Sequence, residues 1–312
     1  MPPEQETQVG DLPEVCLAQV IARTSPRDAS RCAAVSPAFR AAADSDDVWG
    51  HFLPTRLDLD RLLLLPPPPP APAAVAAKTS TKTTCSTDDH RKKKKKKDSY
   101  LGLCNAGALV DDGGEGCVRV WLQKATGARC YALSARRLSL PWDDGEFSWR
   151  WPPHPLSRFP DVAELVDCTC LDIYGTLPTA ALTPGTPYAA YLVYGTAEGG
   201  HRGLSFPDQE TTVAVGGRVV ARHAVCLRPH DAEARKFRAV AAAAGAEVEV
   251  APQPRQPRLR GDGWWEMEMG RVVMCGGDER EEGEEVVASF EVLGWYPKRG
   301  LIIEAIEFKP VR

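Results

Sequence analysis

The spacing of apolar positions changes twice along the chain. In residues 11–54, Val15, Cys16, Val20 and Ile21 recur at helical intervals. Asp11-Leu12-Pro13-Glu14 reads as a capping box with proline in the first turn, where its missing N–H does no harm. Ser25-Pro26-Arg27-Asp28 repeats the start signal with a serine cap, a proline at the first helical position and an early acid. Ser36-Pro37 supplies it again before Phe39 and an alanine-rich run, and Trp49, Phe52 and Leu53 add bulk at the end. This pattern predicts a cluster of short helices over 11–54, after a disordered tail at 1–10. Residues 66–98 have no period. Pro66 to Pro70 reads as extended polyproline, a Thr/Ser/Lys segment follows, and Arg91 to Lys97 is an unbroken run of seven cations. The expectation here is an internal disordered loop, held open by like charges, within a linker spanning 55–98.

From Leu101 the period becomes two, in short runs punctuated by Gly and Pro. Val118, Val120 and Leu122 alternate, as do Leu138, Leu140 and Trp142, and then Phe147, Trp149 and Trp151. Asp143-Asp144-Gly145 between the last two sets suits a hairpin turn. Further strands are expected at 169–174, 188–194, 212–220, 222–227, 264–269, 285–292 and 301–308. Residues 231–244 are helical in composition but read equally as loop. Many short strands with turn signals predict a β-sandwich over 99–312.

Length and composition sharpen this picture. The 312 residues suffice for two domains, and a hydrophobic content of 43% supports a sizeable core. About 44 helical residues, however, make a poor core by themselves. Domains that small lean on a metal, a disulfide or a partner, and neither of the first two is visible, so a partner is expected. The net charge of −4 argues against a surface built to embrace nucleic acid. The ten cysteines form no Cys-x-x-Cys pair, and Cys168 with Cys170 has no second pair to complete a zinc site. They read as reduced thiols of a cytoplasmic or nuclear protein. The N-terminus is polar rather than signal-like, and no apolar stretch approaches the length that crosses a bilayer. No membrane or nucleic-acid partner is therefore expected.

Two family resemblances follow. Leu12-Pro13-Glu14-Val15, Thr24-Ser25-Pro26-Arg27-Asp28, Ala34-Val35-Ser36-Pro37-Ala38-Phe39-Arg40 and Asp47-Val48-Trp49 closely resemble the plant F-box. The resemblance implies a three-helix fold that binds a Skp-type adaptor and, through it, a cullin scaffold. It puts Leu12, Pro13, Val15, Val20, Ile21, Pro37, Phe39 and Trp49 in the adaptor contact. The rest is similar to the phloem-protein-2 (Nictaba-related) lectin family. That likeness rests on Cys130-Tyr131-Ala132-Leu133-Ser134-Ala135-Arg136, Trp142, Trp149 and Trp151, Ser157-Arg158-Phe159, and Leu171-Asp172-Ile173-Tyr174-Gly175. It continues through Tyr188-Ala189-Ala190-Tyr191-Leu192-Val193, Arg260-Gly261-Asp262-Gly263-Trp264, and Gly300-Leu301-Ile302-Ile303 up to Phe308-Lys309-Pro310. The implied fold class is α+β multidomain: a small three-helix F-box, then an antiparallel, jelly-roll-like β-sandwich of lectin type.

A sugar ring has an apolar C–H face and a rim of hydroxyls, so its site wants a flat aromatic beside fixed polar groups. Carboxylates suit the rim because a charged acceptor strengthens the hydrogen bond. The lectin resemblance implies carbohydrate contacts at Trp142, Trp149, Glu284 and Glu291. The competing reading puts the tryptophans in the core and the acids in solvated surface; Trp151 and Trp264 are assigned to the core. The lysine run reads as a nuclear-import signal, a phosphate-binding patch or a solvated linker. The six histidines form no metal or nucleophile motif, so no catalytic residue, metal or cofactor is expected.

The resulting expectation is a non-catalytic, substrate-recognition subunit of a Skp–cullin–F-box ubiquitin ligase. It would bind glycoprotein targets or N-acetylglucosamine-containing glycans and work in the cytoplasm and nucleus. The alternatives are an F-box receptor that contacts its target protein directly and a free stress-related lectin.

Overall fold

A computed structural model describes residues 9, 12–54, 96–110, 117–141, 148–206, 208–231, 234, 254–273 and 284–311. They divide into two compact units: the described part of Met1–Ala108 with Lys124–Gly127, and Leu109–Gln123 with Ala128–Arg312. The polyproline stretch, the cations before Lys96, the 143–145 turn and nearly all of 231–244 lie outside the described residues.

The first unit is helical. Four short helices, α1 (Glu14–Ala22), α2 (Pro26–Cys32), α3 (Pro37–Ala43) and α4 (Asp46–Phe52), stand where three were expected. Two predicted caps form as read. Ser25 Oγ accepts from the Asp28 N–H at 3.1 Å and donates back to the Asp28 carboxylate at 2.8 Å. Ser36 Oγ accepts from the Phe39 N–H at 3.2 Å. At α1 the N-cap is Pro13, and the capping box predicted from Asp11 lies outside the described residues. Leu17, Ala18, Ile21, Ala42, Ala43, Val48 and Trp49 form the interior, and the Trp49 indole N–H donates to Ala43 O at 2.7 Å.

A fifth helix, α5 (Lys96–Asn105), completes this interior from beyond the linker. Composition predicts a linker ending at 98 and a second domain from 99, whereas α5 belongs to the helical unit. Tyr100 explains why. It is fully buried, with its ring 5.2 Å from that of Trp49 and 6.3 Å from that of Phe52. Its hydroxyl donates to Lys124 O at 3.2 Å. Charge fixes the start of α5: Asp46 accepts from the Lys96 N–H at 2.9 Å, and Lys97 Nζ lies 2.5 Å from the Asp44 carboxylate. An acid at a helix N-terminus satisfies an orphan N–H and suits the helix dipole. The chain itself thus supplies part of the core that residues 11–54 lack.

The second unit is two antiparallel sheets packed face to face. The larger runs β1 (Ala108–Val110), β2 (Val118–Leu122), β3 (Arg129–Ser134), β13 (Leu301–Pro310), β7 (Pro187–Thr196), β11 (Trp265–Val273), β10 (Arg258–Leu259). Two further strands join it: β4 (Trp149–Arg150) pairs with β5 (Ala163–Leu165), which pairs with β13. The smaller sheet runs β6 (Leu171–Pro178), β12 (Glu285–Val292), β8 (Gln209–Val215), β9 (Arg218–Val225). Strand β12 matches its predicted bounds. The predicted strand 212–220 is instead two strands, turned at Gly216 and Gly217, whose φ values of 54° and 77° suit a two-residue hairpin. Close approach of the sheets demands glycine at 175: a Cβ there would lie 2.9 Å from Leu138 and 3.1 Å from Leu133.

The central strand β13 is buried on both faces, and one face is ionic. Arg158 reaches the fully buried Glu304 through its backbone N–H at 2.9 Å and its guanidinium at 2.5 Å, and it reaches Glu307 at 2.5 Å. Lys309 Nζ stands 2.8 Å and Arg260 3.1 Å from Glu307. Burial alone would push the Glu307 carboxyl up, but Arg158, Lys309 and Arg260 override it and hold it at about 2.

Candidate functional site

Helix α1 turns one apolar face inward and carries further apolar residues on its solvent side. Leu17, Ala18 and Ile21 point inward, whereas Leu12, Val15 and Val20 are exposed, Val15 at 64% and Val20 at 55%. Pro13 and Cys16 are exposed beside them. Val35, before α3, is 67% exposed, with Pro37 exposed and Phe39 half-buried. The eight predicted adaptor contacts therefore split. Ile21 and Trp49 are core residues, 2% exposed each, and present nothing to a partner. Both lie on the faces that meet neighbouring helices, which helical spacing alone does not distinguish from the opposite face. Val35 was missed because it stands in the turn between α2 and α3, outside any periodic run.

The predicted carbohydrate set splits as well. Trp149 is buried, and its indole N–H donates to Pro141 O at 2.8 Å, so it is core. Trp264 is core as expected, its indole N–H donating to Leu156 O at 3.1 Å. Trp151, assigned to the core, is half-buried under the Arg136 guanidinium, 3.7 Å from its ring. Trp142 lies outside the described residues. Glu284 and Glu291 sit at opposite ends of β12, and at about 3.4 Å per residue they are roughly 24 Å apart, too far to share one sugar ring. Glu284 packs against Gly216, where a Cβ would meet its Oε1 at 2.9 Å.

Glu291 has more company. The register aligns Asp172 on β6, Glu291 on β12 and Glu210 on β8 across three neighbouring strands. The next outward row places Tyr174, 40% exposed, opposite Ser289, and Ser289 opposite Thr212. The Ser289 and Thr212 hydroxyls share a 2.6 Å hydrogen bond, and Ser289 Oγ lies 3.4 Å from the Glu291 carboxylate. Arg222 of β9 pairs with Glu210 at 3.2 Å. Burial, and then the Glu291 charge, pushes the Asp172 carboxyl above the usual carboxylate range. Its Oδ1 is buried without a hydrogen-bond partner among the described residues. Ser139 pairs with Tyr174 along the edge of β6, which brings the 139–141 segment beside this patch. The outer face of the small sheet thus offers an aromatic ring, two hydroxyls and three carboxylates. Asp172, Tyr174, Glu210 and Thr212 were missed by the sequence reading; their signal is the outward phase of the alternating pattern in β6 and β8.

The sequence comparisons agree with this layout. Residues 10–51 match the F-box domain and residues 128–310 match phloem protein 2. The chain is an F-box member of the phloem protein 2 family. Relatives of this F-box phloem protein 2 chain occur in Arabidopsis thaliana. F-box protein PP2-B10 is 33% identical over 302 residues, covering 96% of this chain and 93% of that protein. F-box protein PP2-B15 is 33% identical over 304 residues, covering 96% of each. F-box protein SKIP3 is 33% identical over 307 residues, covering 96% of this chain and 88% of that one. The F-box match coincides with α1–α4, and the phloem protein 2 match begins at β3 and ends with β13.

Proposed function

We propose that this F-box phloem protein 2 chain is the target-recognition subunit of a Skp–cullin–F-box ubiquitin ligase. The helical unit docks the Skp-type adaptor through the outer face of α1 and the turn before α3. The carrying observation is the set of apolar residues this small unit leaves in solvent: Leu12 before α1, Val15 and Val20 on its outer side, and Val35 before α3. Exposed apolar side chains gathered on one small unit mark a surface for association. The chain then acts by holding a target near the transfer machinery, a proximity effect that needs no reactive residue of its own. It would do so in the cytoplasm and nucleus. The decisive experiment is co-purification of the full chain with a Skp-type protein. The Val15→Asp/Val20→Asp double variant should lose the adaptor and keep its melting temperature; undiminished binding would sink the reading.

For the target, we infer a glycoprotein bearing N-acetylglucosamine-type sugars, held on the outer face of the small sheet. Asp172, Glu291 and Glu210 supply acceptors for sugar hydroxyls, and Tyr174 supplies a flat ring. In isothermal titration with chitooligosaccharide, Tyr174→Ala and Glu291→Gln should each weaken binding without unfolding, and an unchanged affinity in both would reject this face. A second reading, direct contact with the target protein, is favoured by the burial of Trp149 and the distance between Glu284 and Glu291. A glycan array on the full chain separates the two.

A further inference from the structure

The segment Leu293–Gly300 joins β12 to β13, and its exposure alternates along its length. Leu293, Trp295, Pro297 and Arg299 are exposed, while Gly294, Tyr296, Lys298 and Gly300 are half-buried or buried. Trp295 is 81% exposed. This is not loose chain. The Lys298 side chain is buried, and its ammonium donates to Thr169 O at 2.8 Å, Gly294 O at 2.6 Å and Tyr296 O at 3.0 Å. A buried ammonium is tolerated only when such acceptors surround it. Two of them belong to the loop, so the carbonyls at 294 and 296 turn inward and the Trp295 side chain is thrown outward. Tyr296 adds a clamp: its hydroxyl donates to Asp208 at 2.5 Å, its ring stands 4.2 Å from that of Phe206, and the Lys298 ammonium lies 4.0 Å from the ring centre. Lys298 is further tied by backbone hydrogen bonds in both directions to Cys168, at 2.8 and 3.0 Å.

A large ring held in water on a locked loop forgoes about 1.5–3 kcal/mol of burial that a core position would give it. It gains pre-organisation, because little side-chain or loop entropy remains to be lost when a partner arrives. The surrounding charges indicate what kind of partner. Arg202 pairs with Arg299 across an antiparallel bridge, so both guanidinium stems leave the same face. The Cys168–Lys298 bridge puts exposed Asp167 opposite Arg299, and Arg202 has no ion pair among the described residues. The loop thus has Arg202 and Arg299 beside it with Asp167 opposite Arg299 and Asp208 held by the Tyr296 hydroxyl, which leaves Arg202 as the guanidinium without an ion pair among the described residues next to the exposed row of Leu293, Trp295 and Pro297. Along the chain, Leu293 and Pro297 set exposed hydrocarbon on either side of Trp295. Tryptophan and arginine together are the residues that dominate protein–protein contacts.

We propose that the 293–299 loop is a protein-docking anchor. It takes an extended segment of a target polypeptide that carries a bulky apolar side chain next to an acidic residue. Trp295 is the anchor, Leu293 and Pro297 flank it, and Arg202 pairs with the acid. This goes beyond the glycan face and is independent of it.

The test is a displayed random-peptide library selected on the immobilised full-length chain with chitooligosaccharide present throughout. Enriched peptides should combine a large apolar residue with Asp or Glu. By fluorescence anisotropy, a synthetic copy of one should bind Trp295→Ala about thirtyfold more weakly than the parent chain, the loss of a contact hot spot. Arg202→Glu should also bind the peptide more weakly, with affinity recovered when lysine replaces the peptide's acid. Chitooligosaccharide affinity and melting temperature should be unchanged in both variants, since both residues are exposed. The proposal is overturned if no peptide enriches, if enriched peptides bind Trp295→Ala as well as the parent, or if Trp295→Ala loses sugar instead. Failure of sugar binding in every protein, with peptide binding intact, would reject the glycan face and leave this anchor standing.

Discussion

The helical unit and the sheet unit reverse the usual sorting of residues in opposite ways. On the surface of α1, Val15 and Val20 stand in water; inside the sheet unit, Glu304 and Glu307 are buried under Arg158. The first arrangement leaves apolar area for a second molecule to cover. The second is closed on itself, each carboxylate meeting cations of its own chain. An exposed apolar stripe is thus a sign of association. A buried ion network is a sign of internal construction that breaks badly when one member is lost.

The largest effect should come from opening the closed network. Arg158→Ala strands the buried Glu304 carboxylate, leaves Glu307 with only Lys309 and Arg260, and should cost about 3–5 kcal/mol in urea unfolding of the sheet unit. Arg158→Lys should recover little of it, because an ammonium lacks the forked geometry that meets both acids. Next, Tyr100→Ala removes a ring buried against Trp49 and should cost the helical unit about 3 kcal/mol. Adaptor binding should then fall only as far as that unit unfolds, in contrast to Val15→Asp/Val20→Asp, which should abolish binding with the fold intact.

Acid should open the network more gradually. The Glu307 carboxyl is held below its ordinary value of 4.5, at about 2. Its contribution is present above the unfolded value and is lost as pH falls through the folded one. At about 1.4 kcal/mol per unit this amounts to roughly 3 kcal/mol at neutral pH. Melting temperatures of the sheet unit should therefore drop between about pH 4.5 and pH 2, and Glu307→Gln should flatten that slope. The smallest effect is local: Ser25→Ala removes the α2 cap and should lower the stability of the helical unit by about 1 kcal/mol. If Ser25→Ala cost more than Tyr100→Ala, the account of α5 as part of that core would be wrong.

Much of this was legible in order of locality. The Ser25 and Ser36 caps were readable because each spans one helical turn. Strand β12 is readable because Val286, Ala288, Phe290 and Val292 alternate inward and Gly283 and Gly294 flank the run. The Gly216-Gly217 hairpin was equally local but was read through, because Val213, Val215, Val219 and Val220 around it kept the apolar pattern going. The candidate sites were harder. Trp149 and Trp295 are the same residue type in neighbouring grammar, yet one is sealed against Pro141 and the other is turned out by the Lys298 ammonium. Ile21 and Val20 are adjacent apolar residues of one helix, and only the positions of α3 and α4 decide which is core.

By itself the sequence determined the caps of α2 and α3, the β-rich character of the second unit and the family of both, and that residues 11–54 are short of core, which it assigned to a partner. It did not determine the source of that core, part of which arrives on α5 from across the linker. Nor did it determine that Glu291 meets Asp172 and Glu210 while Glu284 does not. Capping and alternation act between residues a few positions apart, so they are written in the chain. Burial, carboxylate register and the outward turn of Trp295 depend on residues far away in sequence, and only the folded arrangement brings them together.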